Sequence, residues 1–451
     1  MSNTAATYIT PASTSPSNDA FLQVTSEICR ENDYISPRLF DEYGVNLGLR
    51  DDKGRGILTG LTSISKITSK KVVAGKTVPD EGKLWYRGRP IQDLIASFGD
   101  ELGFEKVAYL LLTGDSENSV NARQFTQILG ESRALPPSFV RDVIMDNPTH
   151  DIMNSMTKSI LALGTYDENA ADTSIPAVLS QCIHIIGQMP RLAVYAYYAY
   201  LHYANLQSMY LHNPLPELST AENLLRMLRP DMSYTPLEAK VLDTALILHM
   251  EHGGGNNSTF TPRVVTSSGS DTYSTIAAAM SSLKGPRHGG ASIKTLQMMD
   301  EIKANVKDWN DDEEIAAYLA KILNKEACDH KGLVNGMGHA VYTLSDPREK
   351  VLSGVVGDLA REKGREDELH LYQAIERIAP DLISAKRRNG KPVCSNIDFY
   401  SGFVYDMLGI PRELLVPMFA IARVVGWSAH RIEELTSSGK IFRPAYMSVM
   451  E

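Results

Sequence analysis

Apolar residues recur at helical spacing through most of this chain of 451 residues, and that periodicity restricts the fold more than any other feature. The pattern starts over residues 92–112 and continues almost to the C terminus. Such spacing puts the apolar side chains on one face of a helix, where they can pack against a core. Prolines lie at or near several helix starts, where a missing amide hydrogen costs little: Pro136, Pro190, Pro216 and Pro236.

The resulting prediction is a mainly α-helical protein. Strands or loops are predicted over residues 56–64 and 82–91, where glycines interrupt the apolar residues. Residues 192–201 (LAVYAYYAYL) are too few to cross a bilayer, so we interpret them as part of a buried helix. Helices are predicted near residues 118–130, 137–146, 150–164, 174–186, 190–206, 219–227, 236–252, 271–283, 290–305, 311–326, 348–363, 366–378 and 411–435.

The length of the chain suggests two or three compact units, because it exceeds the usual size of a single domain. The first 20 residues are rich in Ser, Thr, Pro and Asn, which predicts a poorly ordered arm, and a short β-prone stretch is expected after it. Residues 384–396 (SAKRRNGKPVCSN) are polar, basic and marked by Gly and Pro. That composition is typical of a connection between two units.

The charge balance excludes one class of protein. The chain carries 54 acidic and 45 basic residues, with a formal net charge of −9, which argues against a general nucleic-acid binder. An anionic ligand must therefore be bound by a local cluster of Arg, Lys and His rather than by the field of the whole molecule.

The N-terminal residues and the cysteines indicate a cytoplasmic protein. No apolar stretch and no basic residue precede Arg30, so no export or transit signal is predicted. The cysteines are widely separated and show no C-x-x-C spacing, which indicates neither a disulfide scaffold nor a zinc-thiolate site: Cys29, Cys182, Cys328 and Cys394.

Segments of this chain that resemble common cofactor-binding motifs each lack a required residue or structural context. AGKT at 74–77 resembles the end of a phosphate loop, but Lys70 stands where that loop needs a glycine. GMGHAV at 336–341 begins like a dinucleotide fingerprint, yet its sixth residue is Val341 and no βαβ context surrounds it. His249 and His252 flank Glu251, but the segment is not H-E-x-x-H and has no third ligand of suitable spacing. We therefore predict neither a metal nor a cofactor.

Three distant segments place a titratable side chain beside glycines or at a turn. GPRHGG (285–290) contains His288, GMGH (336–339) contains His339, and SNIDFYSG (395–402) contains Asp398. Two imidazoles and a carboxylate can move protons at carbon. A single His beside glycines can equally be a residue of a turn or of the core. The interpretation as proton-transferring groups therefore depends on all three segments occurring together.

Three arginines follow these segments. Arg348 closes the SDPR turn after His339, whereas Arg423 and Arg443 follow Asp398. The planar guanidinium group binds carboxylates through two parallel hydrogen bonds, so these residues are candidates for binding an acidic substrate. The alternative for each is a solvated or ion-paired surface group.

These motifs together resemble the citrate synthase family. The resemblance is carried by HGGGNNSTFTPRV (252–264), LKGPRHGGA (283–291), GMGHAVYTLSDPR (336–348), NIDFYSG (396–402) and the closing Arg-Pro pair. It extends from YRGRPI and VAYLLLTGD to Pro444, with the motifs in the order that the family shows. The residues within these motifs are similar to those of a bacterial form.

The resemblance implies a fold of two mainly helical domains, with the smaller inserted into the larger. We expect an N-terminal arm and lead-in over residues 1–55, a large domain over 56–288 and 396–451, and a small domain over 289–395. It also implies a homodimer whose active sites lie between the domains and close over the substrates. Arg443 is the residue expected to cross to the other subunit.

The activity implied by the resemblance is a Claisen-type condensation of acetyl-CoA with oxaloacetate and water, which gives citrate and CoA. Asp398 would be the base, His288 would stabilise the enol and His339 would polarise the carbonyl of oxaloacetate. The carboxylates of oxaloacetate would be bound by His252, Arg348, Arg423 and Arg443. Two alternatives stay open: a 2-methylcitrate synthase that uses propionyl-CoA, and a non-catalytic regulatory paralogue that keeps the fold.

The CoA side departs from the family pattern. Many members carry a basic residue just before the turn of the SDPR segment, where this chain has Thr343 and Leu344. The phosphates of CoA therefore need other partners, and the basic run before the Asp398 motif offers them. The candidates are Lys386, Arg387, Arg388 and Lys391, although the same run can be a solvated connector.

Overall fold

The computed structural model describes residues 16–51, 55–387, 392–437 and 439–450. The chain divides into two compact units, with the boundary between Leu61 and Thr62. Arg388 and Lys391, two of the predicted CoA-binding residues, lie outside the described residues.

The N-terminal unit contains two helices, α1 (Pro16–Asn32) and α2 (Pro37–Glu42). Helix α1 contradicts the expectation of a poorly ordered arm at residues 16–20 and of a β-prone stretch after it, whereas residues 1–15 of that arm lie outside the described residues. Asp19 in its first turn and Arg30 in its last turn both complement the helix dipole. Ser36 caps α2 by accepting a hydrogen bond from the backbone N–H of Arg38, and Pro37 occupies the first helical position.

The second unit begins with a small antiparallel sheet. Its strands follow the order β1 (Ser65–Val73), β2 (Lys76–Tyr86) and β3 (Arg89–Pro90). Strands or loops were predicted over two segments. Residues 82–91 contain the end of β2 and all of β3, whereas residues 56–64 contain no extended strand. The sheet matters for the site because the Ser69 hydroxyl donates a 2.7 Å hydrogen bond to the carbonyl of Val341.

Helices form the rest of this unit, which confirms the prediction of a mainly α-helical fold. A π-helical turn (Val140–Ile144) and two 3₁₀ turns (Gly164–Tyr166 and Arg412–Leu414) occur between them. The α-helices are α3 (Ile91–Ala96), α4 (Phe104–Thr113), α5 (Val120–Glu131), α6 (Ile152–Leu163), α7 (Ile175–Asn205), α8 (Thr220–Leu228), α9 (Pro236–His249), α10 (Asn257–Ser267), α11 (Thr272–Leu283), α12 (Ala291–Asn305), α13 (Asp312–Leu323), α14 (Pro347–Glu362), α15 (Glu366–Arg387), α16 (Ile397–Met407) and α17 (Leu415–Ser437).

Helix α7 corrects one predicted boundary. The sequence predicted two helices meeting at Pro190, but a single helix runs from Ile175 to Asn205 with Pro190 inside it. Met189 and Leu192 on either side are fully buried, so packing of both halves outweighs the hydrogen bond that the proline removes. Residues 192–201 lie in this helix as predicted, and none of the helices described in the chain is long and apolar enough to cross a membrane.

Three other helices near the site differ from the prediction. Helix α15 continues past residue 378 to Arg387, so the start of the predicted connection over 384–396 is helical. Helices α10 and α16 were not predicted, because their sequences carry the glycine, proline and polar residues of the site motifs. Asn256 and Asn396 begin these helices by accepting hydrogen bonds from the N–H groups of Ser258 and Asp398. The predicted small domain over 289–395 stays a prediction.

Helix α17 lies at the centre of the core. It packs against α4, α7, α9, α10 and α11, and its Trp427 is fully buried. The same helix carries Arg423, whose side chain is completely inaccessible to solvent. A buried arginine on the central helix needs a functional or electrostatic explanation, because desolvation of a charge is costly.

Candidate active site

The predicted site residues come from six separate places in the fold. His252 follows α9, His288 lies in the turn between α11 and α12, and His339 lies in the loop before α14. Arg348, Asp398 and Arg423 lie in the first turn of α14, the first turn of α16 and the middle of α17.

Backbone hydrogen bonds join the His339 loop to the start of α16. The N–H of Asn396 donates to the carbonyl of Gly336 over 2.9 Å, and the N–H of Gly338 donates to the carbonyl of Cys394 over 2.8 Å. Gly336 has φ +82°, and a Cβ atom there would lie 2.8 Å from the ring of Phe399. The glycine is therefore required by conformation and by space, and it lets the His339 loop approach the Asp398 helix.

His339 has a defined tautomer when it is neutral. Its Nδ1 atom accepts hydrogen bonds from the backbone N–H groups of Val341 at 3.0 Å and Tyr342 at 3.3 Å. An imidazole nitrogen that accepts carries no proton, so the proton is on Nε2. Burial and the nearby Arg348 charge lower the pKa of His339 to about 4, so the ring is a neutral donor near pH 7.

His252 and Tyr342 lie against His339. The ring centroids of His252 and His339 are 5.1 Å apart, and the Tyr342 ring stacks on His339 at 4.9 Å. The Nε2 atom of His252 lies 3.1 Å from the Tyr342 hydroxyl. Burial, followed by the Arg348 charge, lowers the pKa of His252 well below its ordinary value, so this imidazole is also neutral.

Arg348 is held by a carboxylate of its own loop. Its Nε and Nη2 atoms donate to the two oxygens of Asp346 over 3.0 and 2.6 Å. Both residues are buried, and Asp346 also caps α14. Burial opposes the charge on Arg348, but Asp346 outweighs it and raises the pKa of Arg348. The guanidinium therefore stays charged and fixed beside His339.

His288 is fixed by a hydroxyl and by a tight turn. Its Nε2 atom lies 2.9 Å from the Ser258 hydroxyl of α10. The next residue, Gly289, has room for no side chain, because a Cβ atom would lie 2.5 Å from the carbonyl of Leu283. Burial and the Arg423 charge lower the pKa of His288 to about 4, so it too is neutral near pH 7.

Asp398 has the properties of a base. Burial raises the pKa of its carboxyl to about 6, and the charges of Arg348 and Arg423 partly offset that rise. A carboxylate of this pKa is ionised near pH 7 yet more basic than an ordinary one. Tyr405 lies within electrostatic reach of Asp398, and its hydroxyl is buried without a hydrogen-bond partner among the described residues.

Arg423 has a free donor in a buried position. Its Nε atom donates to the carbonyl of His249 over 2.7 Å, and its guanidinium stacks 4.6 Å from the Phe419 ring. Its Nη1 atom is buried with no hydrogen-bond partner in the part of the chain that the structure describes. Buried donors are rarely left unpaired, so this atom is a candidate partner for an anionic group.

Arg443 is not brought to this cluster within one chain. It lies in the C-terminal residues 439–450, which form neither helix nor strand, and is exposed. The preceding residue, Phe442, donates its N–H to the Ser267 hydroxyl at the end of α10 over 3.0 Å. The expected role of Arg443 across a dimer stays a prediction.

Two of the predicted CoA-binding residues line a cavity of about 330 Å³ beside the His339 loop. The cavity is open to solvent on one side and is lined by Leu323, Gly332–Met337, Ile383, Lys386 and Arg387. Lys386 donates to Asn324 Oδ1 over 3.0 Å and to the carbonyl of Leu323. Arg387 is the less engaged of the two, and its Nη2 atom lies close to Gly338.

His249 and His252 were considered above as a pair of metal ligands, and one ring nitrogen of His249 is engaged elsewhere. The Nδ1 atom of His249 lies 2.7 Å from the carbonyl of Ala245, which engages one ring nitrogen in a hydrogen bond. No group of three or more His, Cys, Asp or Glu side chains among the described residues is arranged to hold a metal ion.

From the sequence alone, no role was assigned to the residues that contact and position the predicted site residues. Tyr342 and Asp346 lie inside the GMGHAVYTLSDPR segment, and Ser258 lies inside HGGGNNSTF, so a signal was present without an assigned role. Tyr405 follows Asp398 by two helical turns, a spacing that places both on one face of α16.

Comparison with known proteins agrees with this architecture. Residues 49–445 match the family model described as citrate synthase, C-terminal domain. A citrate synthase of Deinococcus radiodurans is 33% identical, over 81% of this chain and 89% of the relative. A 2-methylcitrate synthase 2 of Corynebacterium glutamicum is 29% identical, over 86% of this chain and 91% of the relative.

Among solved structures, the ternary complex of carboxymethyl coenzyme A and oxaloacetate with citrate synthase from the archaeon Thermoplasma acidophilum superposes with a TM-score of 0.71. It is 26% identical and covers 88% of this chain and 95% of that chain. The family model spans most of the sequence, and the relatives are matched over most of their own lengths. The chain therefore belongs to the citrate synthase family, and it is an enzyme that transfers an acyl group.

Proposed function

We propose that the chain condenses acetyl-CoA with oxaloacetate and water to give citrate and CoA. The observation that carries this proposal is the Asp398 carboxyl, with a pKa raised to about 6, gathered with two neutral imidazoles and two buried guanidinium groups. The reaction requires a base, two neutral hydrogen-bond donors, and cationic groups that bind the carboxylates of the substrate.

The first step is removal of a proton from the methyl group of acetyl-CoA by Asp398. This methyl is a far weaker acid than any carboxyl group, so the step needs stabilisation of the oxygen on which negative charge develops. His288 supplies it as a neutral donor to the thioester oxygen. A neutral imidazole is closer in acidity to an enol than an imidazolium is, so the proton is shared rather than lost.

The second step is attack of the enol carbon on the ketone of oxaloacetate. His339 donates its Nε2 proton to the ketone oxygen, because its Nδ1 atom is occupied by two backbone donors. The same proton neutralises the alkoxide as the carbon–carbon bond forms. Hydrolysis of the citryl thioester then releases CoA, with no metal, no cofactor and no covalent enzyme intermediate in the proposed route.

The carboxylates of oxaloacetate are bound by His252, Arg348, Arg423 and, across a homodimer, Arg443. The unpaired Nη1 atom of Arg423 supports this assignment directly. Fixing the ketone against the enol is the positioning contribution, which is worth several kcal/mol in reactions of this kind. The proposal includes a cytoplasmic location and closure of the small domain, which would exclude water while the enol exists.

For CoA, the cavity beside the His339 loop supports Arg387 as one partner of the phosphates. Lys386 is a weaker candidate, since its ammonium already donates to Leu323 and Asn324. Reversal of charge at Arg387 should raise the KM for acetyl-CoA and leave the KM for oxaloacetate unchanged. An unchanged KM for acetyl-CoA would favour the solvated connector.

A 2-methylcitrate synthase is the second candidate, because the relative from Corynebacterium glutamicum is similar over nearly the same length. The two activities differ by one methylene in the acyl group, which a pocket discriminates only modestly. Comparison of kcat/KM for acetyl-CoA and propionyl-CoA with oxaloacetate tests the assignment. A preference for acetyl-CoA supports it, a preference for propionyl-CoA replaces it, and no turnover with either supports a non-catalytic paralogue.

A further inference from the structure

The β1–β2 hairpin contacts the loop that carries His339 at two points. The Ser69 hydroxyl of β1 donates to the carbonyl of Val341 over 2.7 Å. From β2, the N–H of Gly82 donates to the Ser345 hydroxyl over 3.2 Å. A Cβ atom at Gly82 would lie 2.1 Å from the carbonyl oxygen of Ser345, so the backbone of the hairpin lies directly against the backbone of the loop.

An irregularity in the hairpin aims these two residues at the loop. The pairing register shifts between Thr68 and Lys70, so three residues of β2 (80–82) lie opposite Ser69 alone. A bulge of this kind bends the strand and redirects its side chains, and bulges are frequent beside active sites. The contacts of Ser69 and Gly82 with the loop therefore follow from the backbone of the hairpin.

The carbonyl that Ser69 contacts belongs to a peptide group that also contacts His339. The peptide group between Val341 and Tyr342 presents its C=O to the Ser69 hydroxyl at 2.7 Å and its N–H to the Nδ1 atom of His339 at 3.3 Å. The N–H of Val341 donates to the same nitrogen at 3.0 Å. Ser69 is only 5% exposed, so water competes little for its hydrogen bond.

These contacts form a chain of hydrogen bonds in which every member donates in the same direction. The chain runs from the Ser69 hydroxyl through the Val341–Tyr342 peptide group to Nδ1 of His339, and the Nε2–H of that ring is its last donor. Donation to the carbonyl oxygen polarises the peptide group and strengthens donation by its N–H. A stronger donor at Nδ1 keeps the ring proton on Nε2 and makes that proton easier to donate.

We propose that Ser69 is a positioning residue that fixes the tautomer and the orientation of His339 through the Val341–Tyr342 peptide group. It acts through this peptide group rather than on the substrate. The ring so fixed presents its Nε2 proton to the ketone of oxaloacetate. This inference rests on the proposed function, because it takes His339 as the donor to that ketone.

The kinetic test is Ser69→Ala in the full-length enzyme, which removes the first donor of the chain. We expect kcat to fall by about tenfold, with the KM for acetyl-CoA within about twofold of wild type. Ser69→Thr keeps the hydroxyl and suits a strand, so its kcat should return to within about threefold of wild type.

Ser132→Ala is the matched control. Ser132 is also buried, and its hydroxyl donates to the carbonyl of Ile128 over 2.8 Å at the end of α5, outside the site. The control should lose a similar hydrogen bond and keep the wild-type kcat.

A second readout needs no turnover. Solid-state nitrogen NMR of protein with isotope-labelled histidines reports which ring nitrogens accept hydrogen bonds, and the signals missing from His339→Gln identify His339. In Ser69→Ala the Nδ1 signal of His339 should move toward the position of a nitrogen that accepts no strong hydrogen bond. The same signal should stay in place in Ser132→Ala.

The outcomes separate the two proposals. If wild type does not condense the substrates, the proposed function fails before any variant is compared, whereas an unmoved Nδ1 signal in Ser69→Ala refutes the hydrogen-bond chain whatever the activity. If wild type is active and Ser69→Ala loses no more kcat than Ser132→Ala, the role of Ser69 is refuted alone. Should Ser69→Ala not fold, Ser69→Cys decides: its thiol is a weak donor, and a kcat equal to that of Ser69→Thr would overturn the inference.

Discussion

The side-chain amide of Asn396 donates a 2.8 Å hydrogen bond to the backbone carbonyl of Gly338. The same side chain caps α16 by accepting from the N–H of Asp398 over 2.9 Å. One asparagine thus connects the residue before His339 to the first turn of the Asp398 helix. The relative placement of Asp398 and His339, the proposed base and the proposed carbonyl-polarising group, depends on this connection.

Replacement of Asn396 by Ala should therefore lower both stability and turnover. The lost cap costs about 0.5–2 kcal/mol, and release of the His339 loop should lower kcat by about tenfold or more. Ser119→Ala is the matched control, since Ser119 caps α5 by accepting from Ala122 and lies outside the site. Equal kcat values for the two variants, at similar losses in the free energy of unfolding, would contradict a positioning role.

Gly336→Ala tests the close approach of the His339 loop to α16. The variant combines a strained backbone, at φ +82°, with a methyl group 2.8 Å from the Phe399 ring. Gly409→Ala has a similar φ of +71° with no atom within 4 Å, so it measures the backbone strain alone. We expect both to be destabilised by about 1–3 kcal/mol in chemical denaturation, with the larger loss and a fall in kcat only at Gly336.

The raised pKa of Asp398 predicts a pH profile with an acid limb. As the base, Asp398 must be ionised, so kcat should fall as the pH drops through about 6. His288 and His339, with pKa values of about 4, stay neutral over that range and should not contribute. Steady-state kcat from pH 5 to 8 checks this, and a constant kcat down to pH 5 would rule out the assigned base.

Glu349 should make the protein less stable as the pH rises. Burial and the neighbouring Glu376 carboxylate raise the pKa of Glu349 to about 8. The folded state then keeps a proton that the unfolded state loses near pH 4.5, so stability falls between these values and levels off above pH 8. Glu349→Gln removes that titration.

The variant should therefore be more stable than wild type at pH 8, by on the order of 2–4 °C in Tm, and similar to it at pH 5. Thermal unfolding of both proteins at the two pH values measures the difference. Glu362→Gln, at the exposed end of the same helix, is the control. A Tm difference that is the same at both pH values would contradict the shift.

The sequence was sufficient for the fold class, and its motifs single out the residues that are proposed for the site. Its motifs are local, so they identify His288, His339 and Asp398 without showing that Ser258 fixes the first or that two backbone N–H groups fix the second. Those contacts join segments far apart in the chain. Pro190 shows the same limit for the fold, because only the packing of α7 reveals why a proline is tolerated inside a helix.

The electrostatic state of the site is also invisible in the sequence. From the sequence alone, an isolated arginine in a helix is expected to be exposed. Arg423 is instead inaccessible to solvent, and its Nη1 atom has no hydrogen-bond partner among the described residues. Burial arises from the packing of α17 against its neighbours, which depends on residues throughout the unit.

The most direct test of the whole account is the rate of CoA release from acetyl-CoA on addition of oxaloacetate, in wild type and in Asp398→Asn. Asp406→Asn is the control, because Asp406 lies at the far end of the same helix and pairs with Arg365 at 2.7 Å. We predict citrate formation by wild type and by the control, with a loss of about a thousandfold in kcat for Asp398→Asn. Turnover by Asp398→Asn at the wild-type rate, or no turnover by wild type, would contradict it.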